Sequence, residues 1–318
     1  MNKKIWLFFF SLGLLLLLEG LTRIYSNALY NESPTQWLLR SNLNSALIQP
    51  VADSHHFVLS TNKDGLRTQL PIQSQRSVRI ALLGDSNVLG WGVDDNNDIA
   101  SILNQKNSLK EHDVEILNAG QPGHSTAQSK RVLCEILPNY RPTHALLFLS
   151  MHDHNQSSLS DLEKTGVGLT ATSQVRSFLV NHVALYRNLR NAIYPPQKNP
   201  ADQKGETFRV TNAERAFLLK EMQTCLSTWN GQLWLGLLPF FEDLSSSPLS
   251  PPIARKGVDW AKNWSLINQA AFLDLRTCCG PQGQTLVFPF DKGHLNSKGL
   301  NLVADALWKE IESELFSP

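Results

Sequence analysis

Three side chains of the kinds that acyl-transferring enzymes use stand out by what surrounds them. Ser86 closes the apolar run Arg79-Ile-Ala-Leu-Leu-Gly-Asp-Ser-Asn87, and Asp291-Lys292-Gly293-His294 follows Val287-Phe288-Pro289-Phe290 near the other end of the chain. A serine hydroxyl is a weak nucleophile until a base takes its proton, and an imidazole base needs an acceptor that fixes its tautomer. An aspartate three residues before a histidine, on a turn, can accept from Nδ1 and leave Nε2 for the serine. The Asp-x-x-His spacing alone is common, so its weight comes from position, between the last apolar run and the last helical pattern. The chemistry would be attack by Ser86 on an acyl carbonyl.

Such residues need a scaffold that returns position 294 to position 86. Apolar runs at 78–84, 114–118, 144–150, 233–238 and 271–275 read as buried strands. Between and after them, 98–110, 125–137, 212–229, 254–268 and 297–315 carry helical spacing. This alternation predicts an α/β chain: a three-layer α/β/α, flavodoxin-like domain around a parallel sheet of about five strands, with ligands bound beyond the carboxyl ends of the strands. Ser86, residues 118–125 and residues 152–155 all fall there. The interval 156–211 is too long for a simple connection. It contains a helical pattern at 173–194 and a loop at 195–205, and reads either as a lid or substrate wall or as structural padding.

The 318 residues, 42% of them hydrophobic, suffice for one large catalytic domain, expected over 77–318. A formal charge of +1, with no long run of either sign, gives no nucleic-acid surface and favours a small or uncharged substrate. The amino terminus departs from this composition: Lys3-Lys4 precedes an uncharged stretch from Ile5 to Leu18. As a helix that stretch would reach roughly 21 Å against a hydrocarbon core of roughly 30 Å. It reads as a targeting element over 1–24, either a signal anchor extended through Leu21 or a signal peptide cleaved near Ser26-Asn27-Ala28. Either way the body is expected outside the cytoplasm, held at the inner membrane or secreted. Residues 25–76 then form a membrane-proximal extension. Of the four cysteines, Cys225 could bridge to Cys278 or Cys279, while Cys134 reads as a buried hydrophobe.

In combination the motifs resemble the SGNH/GDSL family of serine esterases, from about Val78 to the end. Gly84-Asp85-Ser86 is similar to the family's nucleophile block, implying that Ser86 attacks and that its backbone N–H serves the oxyanion hole. Asn118-Ala-Gly-Gln-Pro-Gly123-His-Ser-Thr resembles the block with an oxyanion glycine, implied to be Gly123, with Gly120 the less favoured choice. Asp291 to His294 resembles the family's Asp-x-x-His. The third block departs: Ser150-Met151-His152-Asp153 stands where the family has Gly-x-Asn-Asp. The missing asparagine would donate to the oxyanion, and losing such a donor costs about 100- to 1000-fold in turnover. His152 or Asn155 could donate instead, or the site could be slow or silent. With the apolar amino terminus, Thr61-Asn-Lys-Asp-Gly-Leu-Arg67 and Gly84 to Val93 resemble a membrane-anchored bacterial subgroup of that family.

The resemblance implies hydrolysis of acetyl or other short acyl esters, on envelope glycans among other substrates. Polysaccharide O-acyltransfer by the same residues and a catalytically silent glycan- or partner-binding protein are the alternatives. No cofactor is expected, since Gly90-x-Gly92 lacks the rest of a dinucleotide fingerprint. No metal is expected either, because His124 and His154 share no ligand spacing with a carboxylate. Asp153 reads as structural and Trp91 as either a pocket wall or a packing residue.

Overall fold

The computed structural model describes residues 3–25, 30–32, 37–39, 42–48, 56–73, 76–106, 111–167, 175, 178–180, 182, 183–193, 207–239, 252–279, 285–289 and 291–316. The cleavage-site candidate at 26–28 and the loop expected at 195–205 lie outside them. Helix α1 (Lys3–Tyr25) leads into two antiparallel hairpins, β1 (Tyr30–Glu32) with β2 (Trp37–Leu39) and β3 (Asn44–Ile48) with β4 (His56–Ser60).

The sheet follows: β5 (Val78–Leu83), α2 (Ser86–Leu89), α3 (Ile99–Gln105), β6 (Val114–Asn118), α4 (Thr126–Arg131), β7 (His144–Phe148). Short strand β8 (Gln156–Ser157), α5 (Asp161–Val167) and α6 (Ala184–Ile193) precede β9 (Thr207–Phe208), which pairs antiparallel with β8. The chain then runs α7 (Asn212–Ser227), β10 (Gln232–Leu237), α8 (Pro252–Ile267), β11 (Phe272–Asp274), the hairpin β12 (Val287–Phe288) and β13 (Asp291–Leu295), and α9 (Ser297–Phe316).

The central sheet has the order β11-β10-β7-β5-β6, all parallel. Counted along the sheet's own strands this is the doubly wound 2-1-3-4-5 order, as expected from the alternation of runs. Both faces are buried, which is why the strands read as mostly apolar runs, with Arg79 and Glu115 pairing where β5 and β6 begin. Ile80 and Leu82 join a cluster with Ile102 and Leu103 of α3 and Val303 and Leu307 of α9. Ala81 and Leu83 point the other way, into a cluster with Leu219 and Met222 of α7 and Trp264 of α8. β5 and β7 are neighbours in the sheet but not consecutive along the chain, so the switch point, where ligands bind in such folds, lies beyond their carboxyl ends.

Two expectations need correcting. Cys134, in the π-helical continuation of α4, is bonded to Cys225 of α7, and neither Cys278 nor Cys279 takes part. Cys134 is therefore not a buried hydrophobe: its helix and α7 cover the same face and bring the two Cα atoms to 5.6 Å. The apolar amino terminus forms one helix of 23 residues, Lys3–Tyr25, which reaches beyond the uncharged stretch ending at Leu18. Among the described residues no helix is long and apolar enough to cross a membrane, and in α1 the side chains described are Leu7 and Phe9 to Thr22. Residues 56–73 do not stand apart from the domain. Buried Arg67 donates to the carbonyls of Leu89, Gly90 and Val93, just beyond Ser86. Trp91 meets Phe57 edge to face at 5.3 Å, a packing role.

Candidate active site

β5 delivers Ser86 to the switch point through a turn that needs glycine. A Cβ on Gly84 would lie 2.5 Å from Val88 Cγ2 and 3.3 Å from the Phe148 carbonyl, so only glycine lets α2 fold back this tightly. Asp85 then caps α2, accepting from the Asn87 N–H at 3.0 Å. Its other oxygen accepts from Ser150 Oγ at 2.8 Å, tying the end of β5 to the end of β7. Ser86 is the first helical residue and is 8% exposed.

The base arrives on β13. His294 Nδ1 lies 2.6 Å from Asp291 Oδ2, and His294 Nε2 lies 2.7 Å from Ser86 Oγ. With the Nδ1 proton donated to the carboxylate, Nε2 holds the lone pair and Ser86 O–H donates to it. Asp291 Oδ1 also accepts the Gly293 N–H at 3.0 Å, and Asn87 Nδ2 donates to the Gly293 carbonyl at 3.1 Å. The residue after the serine thus holds the loop that carries the histidine.

The loop after β6 lies against α2, with the Gln121 N–H donating to the Gly84 carbonyl at 3.1 Å. Gly120 is committed to packing and to the turn: its N–H donates to Asn118 Oδ1 at 3.0 Å. Gly123 differs. It takes the left-handed φ of 68°, which favours glycine, and its carbonyl accepts from Arg209 Nη1 at 2.9 Å. Among the described residues neither the Gly123 N–H nor the Ser86 N–H has a hydrogen-bond acceptor. Of the two candidate glycines, Gly123 is the one with a donor to offer.

The third loop follows β7 as a short 3-10 turn, Met151–His154. Ser150 Oγ accepts from the His152 N–H at 3.1 Å while donating to Asp85. Burial lowers the His152 pKa, opposed by Asp85, helped by Arg209, opposed by Asp153 and helped by His294, so the ring is neutral at pH 7. Asn155 Nδ2 lies 3.2 Å from His152 Nδ1. Fully buried Asp153 accepts from Thr126 N, Thr126 Oγ1 and Arg215 Nε, holding the start of α4 rather than the Ser86 turn.

Sequence reasoning missed the struts. The ends of the 156–211 interval form β8 and β9, and buried Arg209, just past β9, binds Asp161 and Gln128 as well as Gly123. The Arg209 N–H also donates to the Asn155 carbonyl at 2.9 Å, so one residue braces two of the three loops. The sequence signal beside it was the capping box Thr211 to Glu214, which marks the start of α7 but says nothing of Arg209. No cluster of three or more metal-ligating side chains occurs among the described residues.

No family model matches the chain, and no curated protein does. Several solved structures are similar. A psychrotrophic esterase from Pseudoalteromonas sp. is 15% identical with a TM-score of 0.48, covering 74% of this chain and 98% of its own. An acetylxylan esterase from Geobacillus stearothermophilus is 13% identical with a TM-score of 0.46, covering 76% and 96%. The protein TesA is 12% identical with a TM-score of 0.47, covering 74% and 99%.

Proposed function

We propose that the chain is a serine esterase in which Ser86 is the nucleophile, His294 the general base and then acid, and Asp291 the group that orients His294. The observation that carries this reading is the continuous pair of short contacts from Asp291 through His294 to Ser86, assembled across 208 residues at the switch point of the sheet. Ser86 Oγ attacks the ester carbonyl as its proton passes to His294 Nε2. The collapsing intermediate expels the alcohol, which takes that proton, and leaves Ser86 acylated. Water, deprotonated by the same Nε2, then releases the acid. The Ser86 and Gly123 N–H groups receive the oxyanion, with His152 as third donor in place of the usual asparagine. The test is labelling by a fluorophosphonate together with p-nitrophenyl acetate turnover. Labelling that maps to Ser86 and disappears in Ser86→Ala supports the reading, and full turnover by Ser86→Ala ends it.

The finer reading places short acyl esters, including acetyl groups on envelope glycans, as substrates and the domain outside the cytoplasm. Two observations support the location. The Cys134–Cys225 bridge belongs to oxidising compartments. Along α1, Leu7, Phe9, Phe10, Leu12, Leu14 to Leu18 and Leu21 are each between 40 and 64% exposed, an apolar surface that water does not favour and lipid does. Membrane fractionation of the full chain, with protease protection of the domain in intact spheroplasts, checks the placement. Recovery of the full chain in the soluble cytoplasmic fraction would exclude it. The unusual third block favours one second reading, a catalytically silent envelope protein that binds a glycan or a partner in the same crevice. Covalent labelling of Ser86 by a fluorophosphonate counts against it, and no labelling alongside measurable glycan binding counts for it.

A further inference from the structure

We infer that Asn155 is a positioning residue that holds His152 in the Nε2–H tautomer, so that His152 and Asn155 together replace the single asparagine donor. The use of that proton rests on the esterase reading; its location on the ring does not. A neutral imidazole carries one proton, on Nδ1 or Nε2, and in water the two forms interconvert freely. A donor to an oxyanion must have the proton on the nitrogen that faces the site at the moment of reaction, because reorganising it later subtracts from the stabilisation. Here Nδ1 is met by Asn155 Nδ2 at 3.2 Å. An amide NH₂ group can only donate, so Nδ1 accepts and the single proton sits on Nε2.

The surroundings keep the arrangement in place. The ring is neutral because burial disfavours its charged form. Its charged neighbours, Asp85 and Asp153 on one side and Arg209 on the other, oppose each other. The Asn155 N–H donates to the His152 carbonyl at 3.2 Å and the Asn155 carbonyl accepts from the Arg209 N–H at 2.9 Å, so the backbone that carries the amide is held on both sides. The His152 N–H is bound by Ser150 Oγ, itself bound to Asp85 beside the nucleophile. The backbone at His152 is therefore tied to the residue before Ser86 through one hydroxyl and one carboxylate.

Asn155→Asp tests this with almost no change of shape. A carboxylate can only accept, so it would draw the proton to Nδ1 and leave Nε2 a lone pair facing a developing negative charge. Nitrogen-labelled histidine NMR on the full chain reads the tautomer directly, without turnover. The expected result is the Nε2–H form in the parent and the Nδ1–H form in Asn155→Asp. Turnover of p-nitrophenyl acetate should fall by about 100-fold in kcat with KM little changed. In a His152→Asn background, where no tautomer exists, the same Asn155→Asp change should cost less than about threefold. An Nδ1–H ring in the parent, or a tautomer that Asn155→Asp does not move, overturns the assignment. So does an active Asn155→Asp with unchanged kcat. A parent ring in the Nε2–H form in a protein whose Ser86 takes no fluorophosphonate would uphold the positioning and remove the esterase reading.

Discussion

The two ends of the central sheet are built from similar polar residues and put to opposite use. At the amino ends of β5, β6 and β7, buried Arg79 binds Glu115 and donates to the carbonyls of Pro71, Ile72 and Tyr140. Tyr140 in turn donates to Asp64 and accepts from Asn62, its hydroxyl pKa raised by burial and then by Asp64. These groups satisfy one another and close that end. At the carboxyl ends the bonds run between loops instead: Ser150 to Asp85, Asn87 to Gly293, Arg209 to Gly123. What those bonds leave over, among the described residues, is the Ser86 hydroxyl on its base and the backbone N–H groups of Ser86 and Gly123 without an acceptor. One end spends its polarity on stability and the other keeps some unspent for a ligand.

If that division is real, substitutions at the two ends should separate activity from stability. The largest effect belongs to Ser86→Ala, which should lower kcat for p-nitrophenyl acetate by about 10⁴-fold or more while leaving the urea midpoint within error of the parent. A Ser86→Ala protein that unfolds more easily and still turns over would show that the hydroxyl serves the fold. The mirror experiment is Arg79→Ala. Removing the guanidinium from a buried carboxylate typically costs 3–5 kcal/mol, so the loss should appear in the unfolding free energy, with kcat of the folded fraction near the parent value. A large fall in kcat there would join the two ends into one functional unit.

The same contrast explains what could be read from the sequence. The sheet was legible because both of its faces are buried, so that 78–84, 114–118 and 144–150 are mostly apolar runs, broken near their starts only by Arg79, Glu115 and His144. The run 114–118 coincides with β6, while 78–84 and 144–150 reach past the ends of β5 at Leu83 and β7 at Phe148, where the chain leaves the ladder for a cap. The hairpin that carries the base was not legible. β12 has two residues, Pro289 follows it, and β13 begins Asp-Lys-Gly-His with no alternation to betray a strand. Ser86, Asp291 and His294 could be named because their chemistry is bound to residue type. Asn155 could only be offered as a rival donor to His152. That its amide bonds the ring, and so sets which ring nitrogen donates, depends on the 3-10 turn between them. The cysteine pairing was misjudged for a similar reason: helical spacing at Cys134 does not reveal which helix lies beside it.

A smaller effect at the closed end is set by pH. Burial lowers the His144 pKa to about 4 from an ordinary value near 6.5, with Thr143 Oγ1 2.9 Å from Nδ1 and the Trp234 ring packed at 4.5 Å. The unfolded chain therefore binds a proton in the window between those values that the folded chain does not. Stability from the neutral ring is fully present above pH 6.5 and is lost as pH falls towards 4, by about 3 kcal/mol at most. Urea midpoints taken across that window should drop in the parent and drop less in His144→Gln. Equal slopes would remove His144 from the account.

The smallest effect sharpens the open end. Arg209→Lys keeps a positive charge beside buried Asp161, whose carboxyl is held below its ordinary range against the cost of burial by Arg209, then Ser125 and Lys164. A lysine ammonium cannot reproduce the planar fork that reaches Gly123, Gln128 and Asp161 together. The backbone bond from residue 209 to Asn155 survives the change, so the third loop should stay in place while the Gly123 carbonyl is released. The expected result is a fall in kcat of about tenfold, KM unchanged, and little loss of stability. If stability falls instead while kcat holds, Arg209 belongs with Arg79 as a closing residue. Gly123 would then keep its left-handed turn without help from the insertion.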